Sequence, residues 1–408
     1  MTRGGPSAPC GEARHLLRFI GIRLVQAVVT LLVYMTVTYC ILQAMPGDVT
    51  ILFTQNPRIT AEVRQELARR LGLDQPWYLQ YLNYLKNVFT GNLGVSFTQY
   101  PRPVWDIIVE RLPRTVVLFL TANVVSFYIG FLLGRFVAWR RGSRFDYVTT
   151  AVGVTFWTAF YPLLGLIMMW LFAYTLGWLP LNQFISPSVW RDAPLSSNDV
   201  FTLMLVNLGL LVLMLLAGYG LALPRIGTVS GRLLVQAGLW GGGLLASLAW
   251  WWQSGLSRYA LDIVWHMVLP VVTLALVNFG GTMLLMRDSM LETIREDYVM
   301  AARARGLPER TVRDRYAART AILPVITSFA LNIGFVVSGG IVTETVFSWP
   351  GIGLTLLEAA RLFDYPLATG AFAFTGIFVV VAHIVADILH ALMDPRLRIV
   401  GGEVTAAE

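Results

Sequence analysis

Chemistry needs particular side chains at particular spacings, and this sequence withholds most of them. Lys86, in "YLKNV", is the only lysine; every other one of the 31 basic residues is arginine. A phosphate-cradling Gly-x-x-x-x-Gly-Lys-Ser/Thr loop is therefore absent, and the chain cannot hydrolyse ATP by that route. A Schiff base or a Ser-x-x-Lys nucleophile would also have to use Lys86, whose surroundings offer nothing. No His-Glu-x-x-His, Gly-x-Ser-x-Gly or convincing Asp pair stands against an apolar run, which weighs against an intramembrane hydrolase. Cys10 and Cys40 form neither a disulfide framework nor a Cys-x-x-Cys. Two constellations remain. His383, Asp387 and His390 fall at i, i+4 and i+7, one helical face. That spacing suits a metal or proton site, or a polar packing face whose histidines favour a helix C-terminus. Glu344, in "VTETVFSWPG", is an acid inside an apolar run, a functional candidate or a packed acid paired with a neighbour.

A third feature is a charged island, Asp297 to Pro324, "DYVMAARARGLPERTVRDRYAARTAILP", with six arginines and three acids. On the membrane-insertion scale each such residue costs about 2.5–3.5 kcal/mol at a helix centre, so nine would cost on the order of 25 kcal/mol. The island cannot cross a bilayer. Ala301, Ala302 and Ala304 allow close approach on a short helix. Gly306 fits a left-handed helix stop, and Pro308 can open the next helix. A short helix, a sharp turn and an arginine-rich second helix suit a docking plug for a partner, or a solvated loop whose charges set topology.

The elements that must position these residues are membrane spans. Of 408 residues 56% are hydrophobic and 13% charged, with mean hydropathy +0.63, against about 25% charged in soluble chains. The composition predicts an all-α polytopic membrane protein. The +7 charge fits arginines collected in cytoplasmic loops rather than a nucleic-acid partner. The patterning predicts about eight transmembrane helices: about Phe19 to Ala44, Thr115 to Val137, Ala151 to Tyr174 with a kink at Pro162, 201–223, 232–253, Ile263 to Met286, Pro324 to Phe347 and Leu367 to Met393. The apolar run from Leu24 to Met45 is too long for a signal peptide and no cleavage site follows. Arg3, Arg14, Arg18 and Arg23 precede it, so both termini are expected inside the cell. Arg140, Arg141 and Arg144 mark an inner end as well, and Gly130 with Gly134 marks a close-packing face. Residues 46–113 read as a small helical extracytoplasmic cap, with short helices in "AEVRQELARRLG", "QPWYLQYLNYLKNVF" and "VWDIIVERLP". Segments 201–223 and 232–253 read as a hairpin turning at Arg225, with Trp250, Trp251 and Trp252 as an outer aromatic belt, or the second as a re-entrant piece.

The island resembles the EAA loop of ABC importer permeases of the dipeptide/oligopeptide, binding-protein-dependent family, in which Ala-Arg-Ala-Lys/Arg-Gly-Leu precedes a proline by about eighteen residues; here Gly306 and Pro324 fit. The resemblance continues in "MPGD", "LGLDQPWYLQYLNYL", "GNLGVSF", "RLPRTV", "RRGSRFD", "HMVLPVVTLAL", "VTETVFSWPGIG", "DYPLATG" and "ALMDPRLR". It spans nearly the whole chain except about 181–262.

The resemblance implies a six-helix type I ABC importer core, 114–396, with the EAA coupling loop at 287–323 and an inserted hairpin at 181–262. Residues 1–45 then form the N-terminus and first span, 46–113 the cap, and 397–408 a cytoplasmic tail. It implies no enzyme: ATP and Mg would be handled by two separate ATPase subunits docked on Ala301, Ala302, Arg303, Arg305, Gly306, Leu307 and Tyr316. A second, homologous permease subunit, an extracytoplasmic substrate-binding protein and membrane lipid complete the partners, in the plasma (inner) membrane of a bacterium or archaeon. Glu344, Pro162 and Asn332 become candidates for the translocation path or its gate. The chain departs from the family pattern at Met300, where Glu is frequent; at Tyr316, where His is; at Thr320, where Asn is; and at Asn92, where Asp is. Peptides are the expected cargo; nickel complexes or oligosaccharides are the alternative on this scaffold. An ion-coupled secondary transporter is a more remote one, without visible inverted repeats.

Overall fold

A computed structural model describes residues 10–44, 75–222, 229–336 and 340–393. The expected cap helix at 60–72, the "MPGD" turn, the link carrying Arg225 and the "DPRLR" tail lie outside the described residues. What is described is helical apart from turns and an isolated bridge between Val95 and Pro103. Helices occur at all eight expected span positions. Among the described residues four are long and apolar enough to cross a membrane on their own, in Val25–Ala44, Val104–Trp139, Ser197–Met214 and Ser257–Thr293; a fifth span results if Arg144–Thr158 and Tyr161–Thr175 are one broken span. Leu323–Asn332 and Tyr365–Val381 are shorter apolar stretches.

The described chain divides into two compact units: Met1–Ala159 with Ala275–Ile341 and Gly351–Glu408, and Phe160–Leu274 with Val342–Pro350. In the first unit, α1 (Cys10–Ala44) carries exposed valines Val25, Val29 and Val33, suited to lipid, and buried Met35, Tyr39 and Leu42. α2 (Trp77–Phe89) begins after Pro76 and ends at Thr90, whose hydroxyl donates to the Lys86 carbonyl at 2.9 Å.

α3 (Val104–Trp139) corrects an expectation. "VWDIIVERLP" is not a separate cap helix but the first turns of one 36-residue helix that passes through Pro113. An interior proline removes a hydrogen bond and costs about 3 kcal/mol. Here the turns before it are held by packing: Val104, Ile107 and Ile108 are buried against Ile352, Leu356 and Leu367. Farther along, Gly130 and Gly134 let α3 meet α8 (Ser257–Thr293): a Cβ on Gly130 would sit 2.6 Å from Thr282 Cβ, and one on Gly134 2.6 Å from the Met283 carbonyl oxygen. Lipid supplies no hydrophobic drive between helices, so this backbone approach is what joins them. α4 (Arg144–Thr158) starts at Ser143, whose hydroxyl accepts from Asp146 N at 3.2 Å. Asp146 in turn takes Arg287 Nε at 3.0 Å. After the island come α10 (Leu323–Phe335), α12 (Ile352–Arg361) and α13 (Tyr365–Met393).

In the second unit, α5 (Tyr161–Met168) opens at Pro162 and continues with wider i→i+5 winding from Met169 to Thr175. The hairpin is α6 (Ser197–Ala222) and α7 (Val229–Gln253), joined by Ser247 Oγ donating to Asn207 Oδ1 at 2.7 Å. The connection before it is tied to the start of α8: Asp262 accepts from Ser186 N and from Trp190 Nε1, each at 2.9 Å. α11 (Ile341–Val346) is a short helix whose Val342–Val346 portion lies in this unit.

Candidate functional site

The island folds as the spacing of its small and special residues demands. α9 (Asp297–Ala304) ends at Arg305; Gly306 then takes φ +74° and donates its N–H to the Arg303 carbonyl at 2.8 Å. That left-handed conformation is the reason for glycine. Pro308 precedes a second helical run that passes from Glu309–Thr311 through i→i+5 winding at Val312–Ala317 to Ala318–Ala321. The two halves close on an apolar seam of Val299, Ala302, Val312, Ala317 and Ala318, packed on Met286 and Met290 of α8 and Ala138 of α3.

This seam sorts the expected coupling residues. Ala302 is fully buried, so its small size serves the loop's own closure. Ala301, Arg303, Arg305 and Gly306 are exposed; Leu307 and Tyr316 are half-buried. Arg305 lies over the Tyr316 ring at 5.9 Å, the geometry of a cation–π pair. Tyr298 donates to Thr320 Oγ1 at 3.0 Å. The outer surface of α9 and its turn is thus a small, arginine-edged ridge with Met300 exposed beside it.

Residues that sequence spacing did not single out hold the ridge in place. Arg303 lies over the Trp139 ring at 5.0 Å and pairs with Glu309 at 3.4 Å. Arg313 lies over the Phe136 ring at 4.4 Å. Asp314 accepts from Arg313 Nε at 2.7 Å, faces Arg135 NH1 at 3.4 Å and lies 3.9 Å from Arg310 Nε. The Arg313 hydrogen bond holds the Asp314 carboxyl below its ordinary value; partial burial opposes this, and the charges of Arg135, Arg313 and Arg310 add to it. Nothing local to the island marks Arg135, Phe136 or Trp139, which stand far upstream in sequence.

The path candidates are placed separately. Glu344 lies on α11, fully buried, and its carbonyl accepts from Trp349 N at 2.8 Å. Pro162 sits in the first turn of α5. These two belong to one unit, and Gly165 brings α5 against Val346 and Phe347, to which a Cβ would lie at 3.3 and 3.5 Å. Asn332 is exposed on α10, in the other unit. His383 Nδ1 lies 2.8 Å from the Val379 carbonyl of its own helix; the side chains of Asp387 and His390 lie outside the description. Among the described residues no group of three His, Cys, Asp or Glu is disposed to hold a metal.

The described residues form a helical membrane body that carries this exposed, arginine-edged ridge. Residues 130–399 match the family model described as "Binding-protein-dependent transport system inner membrane component", and residues 16–119 match its N-terminal companion. The chain belongs to this family. It is 31% identical over 383 residues to the Di/tripeptide transport system permease protein DppB of Pseudomonas aeruginosa, covering 94% of this chain and 99% of that one. It is 30% identical over 385 residues to the Dipeptide transport system permease protein DppB of Escherichia coli K12, with the same coverages. To the Oligopeptide transport system permease protein AppB of Bacillus subtilis it is 28% identical over 367 residues, 88% of this chain and 93% of that one.

Proposed function

We propose that this chain is the membrane-spanning permease subunit of an ATP-driven importer that moves di- or oligopeptides delivered by an extracytoplasmic binding protein. The observation that carries the reading is the folded island: a short helix stopped by a left-handed glycine, presenting an exposed ridge on a base packed against α3 and α8. Relatives named for di/tripeptide, dipeptide and oligopeptide transport, alignable over nearly the full chain, support the cargo class.

In this reading the chain performs no hydrolysis. Two ATPase subunits bind ATP and Mg and dock on Ala301, Arg303, Arg305, Gly306, Leu307 and Tyr316, with Ala302 shaping the ridge from within. A second, homologous permease subunit faces this one. Both termini lie in the cytoplasm of a bacterium or archaeon, residues 46–113 form the outer cap, and 114–396 form the core, interrupted by the hairpin insert at 181–262. Closure of the ATPases moves the ridge, and the spans alternate between inward and outward access. Glu344, Pro162 and Asn332 are the residues offered for the path or gate.

The test is copurification and uptake. The tagged chain should retain ATPase subunits from a detergent extract, and proteoliposomes of the assembled complex should accumulate labelled dipeptide only with ATP and binding protein present. Accumulation by the isolated chain without ATP would refute the reading. Failure of peptide but success of a nickel complex or an oligosaccharide would overturn the cargo alone.

A further inference from the structure

The ridge and the loop after α2 are both fastened to one continuous helix, α3. On the inner side both halves of the island grip the last turns of α3: Trp139 under Arg303, Phe136 under Arg313, and Arg135 facing Asp314. Among the arginines that the described geometry places around the Asp314 carboxylate, Arg135 comes from α3 and Arg310 and Arg313 from the island itself. The Arg135–Asp314 pair is therefore a cross-link between elements. At the other end of the same helix, Val104, Ile107 and Ile108 are buried against α12 and α13. Thr115 Oγ1 accepts from Ile352 N at 2.8 Å. Val104 N donates to the Gly94 carbonyl at 3.0 Å, and Val95 bridges to Pro103, so the loop after α2 is fastened to the first turn of α3.

Between these ends α3 does not break. At 1.5 Å per residue its 36 residues span about 54 Å. Pro113 is the position where a hinge would separate cap from core, and the buried turns before it keep the helix continuous. A continuous helix passes on an axial shift or a rotation that a hinge would absorb.

We propose that α3 is a rod through which the coupling ridge and the outer cap act on one another, with Arg135, Phe136 and Trp139 as the inner grip and, at the outer end, the Val104–Gly94 hydrogen bond and the Val95–Pro103 bridge as the tie to the cap. The inference rests on the reading of the island as the ATPase dock. Because binding linkage is reciprocal, binding-protein docking outside and ATPase engagement inside then favour or disfavour each other through this helix. Arg135 and Phe136 are positioning residues that act through the island they hold, Arg135 on Asp314 and Phe136 under Arg313.

The experiment uses the assembled transporter in lipid nanodiscs and reads ATP hydrolysis with and without substrate-loaded binding protein. Replacing Leu120 and Thr121 together by glycine softens the rod and touches neither the grip nor the tie. Stimulation by the binding protein should fall about five-fold or more, while the ATPase stays bound and unstimulated hydrolysis persists. Arg135→Gln should do the same, and Arg135→Lys, which keeps the charge, should retain most of the stimulation. Wild-type stimulation in the glycine-pair variant overturns the rod, whatever Arg135→Gln does. Should Arg135→Gln lose the ATPase altogether, the glycine pair alone decides. If the unaltered chain neither holds an ATPase nor responds to binding protein, the reading of the island itself fails, and the rod with it.

Discussion

Replacing Gly306 tests the ridge most directly. Its φ of +74° lies in the left-handed region, and no atom lies within 4 Å of where a Cβ would stand. The steric contribution is therefore nil and the cost is conformational, about 1–2 kcal/mol for an L-residue forced into that region. A cost of that size changes the ratio of two states by about 5–30-fold. The strain is relieved by opening the turn, which draws α9 away from the helix after Pro308 and separates Arg303 from Glu309, now 3.4 Å apart. On the proposed docking, the ridge then presents its binding shape less often, and ATPase affinity is expected to fall by up to that factor. Peptide uptake per ATP should fall with it. The series Gly306→Asn, Gly306→Ala, Gly306→Val should lose affinity in that order, since Asn tolerates the left-handed region and a β-branched residue does not. Binding of purified ATPase to the nanodisc-embedded permease, titrated by fluorescence, measures it. Gly177→Ala is the control: φ is +61° and the surroundings are equally open, but it follows α5 rather than the ridge. Wild-type ATPase affinity in Gly306→Val, or equal impairment by Gly177→Ala, would refute the reasoning.

Gly134→Ala should destabilise the fold itself, because its Cβ would meet the Met283 carbonyl, which cannot rotate away; about 1–3 kcal/mol of overpacking should appear as a lower melting temperature in detergent, whereas Gly209→Ala, with open space, should not. Asp364→Asn should release the loop after α2: the buried carboxylate accepts from Ser96 Oγ, from Thr98 N at 2.9 Å and from Thr98 Oγ1 at 2.7 Å, and a loss of about 1–3 kcal/mol should show as faster proteolysis after Gly91. Asp314 gives a pH signature: its pKa is lower in the folded loop than in the unfolded chain, so its contribution is complete above the ordinary value of 3.8 and is lost as pH falls through the folded value. Asp314→Asn should remove that part of the acid sensitivity of ATPase retention, with retention at neutral pH weakened towards that of the acidified parent.

Much of the architecture was open to sequence reasoning because lipid imposes a blunt rule: apolar runs must be helical and charges must lie outside. The helix stop at Gly306 and the close-packing pair Gly130 and Gly134 were legible for a related reason, since few residues other than glycine suit a left-handed turn or a backbone held that near. The continuation of α3 through Pro113 was not, because proline argues locally for a break and only the burial of Val104, Ile107 and Ile108 outweighs it. Nor was the inward turn of Ala302, whose neighbours in the seam come from three separate stretches of chain.

By itself the sequence determined the membrane class, the positions of the apolar segments, the lack of an ATP-hydrolysing loop and the charged island with its bend. Those follow from composition and local stereochemistry, which need no partner element. The tertiary structure alone decided which faces of the island stay exposed, that Arg135, Phe136 and Trp139 hold it, that Asp364 secures the loop after α2, and that one helix reaches from that loop to the ridge. Each depends on residues distant in sequence meeting at a few ångströms, and no spacing along the chain encodes such a meeting.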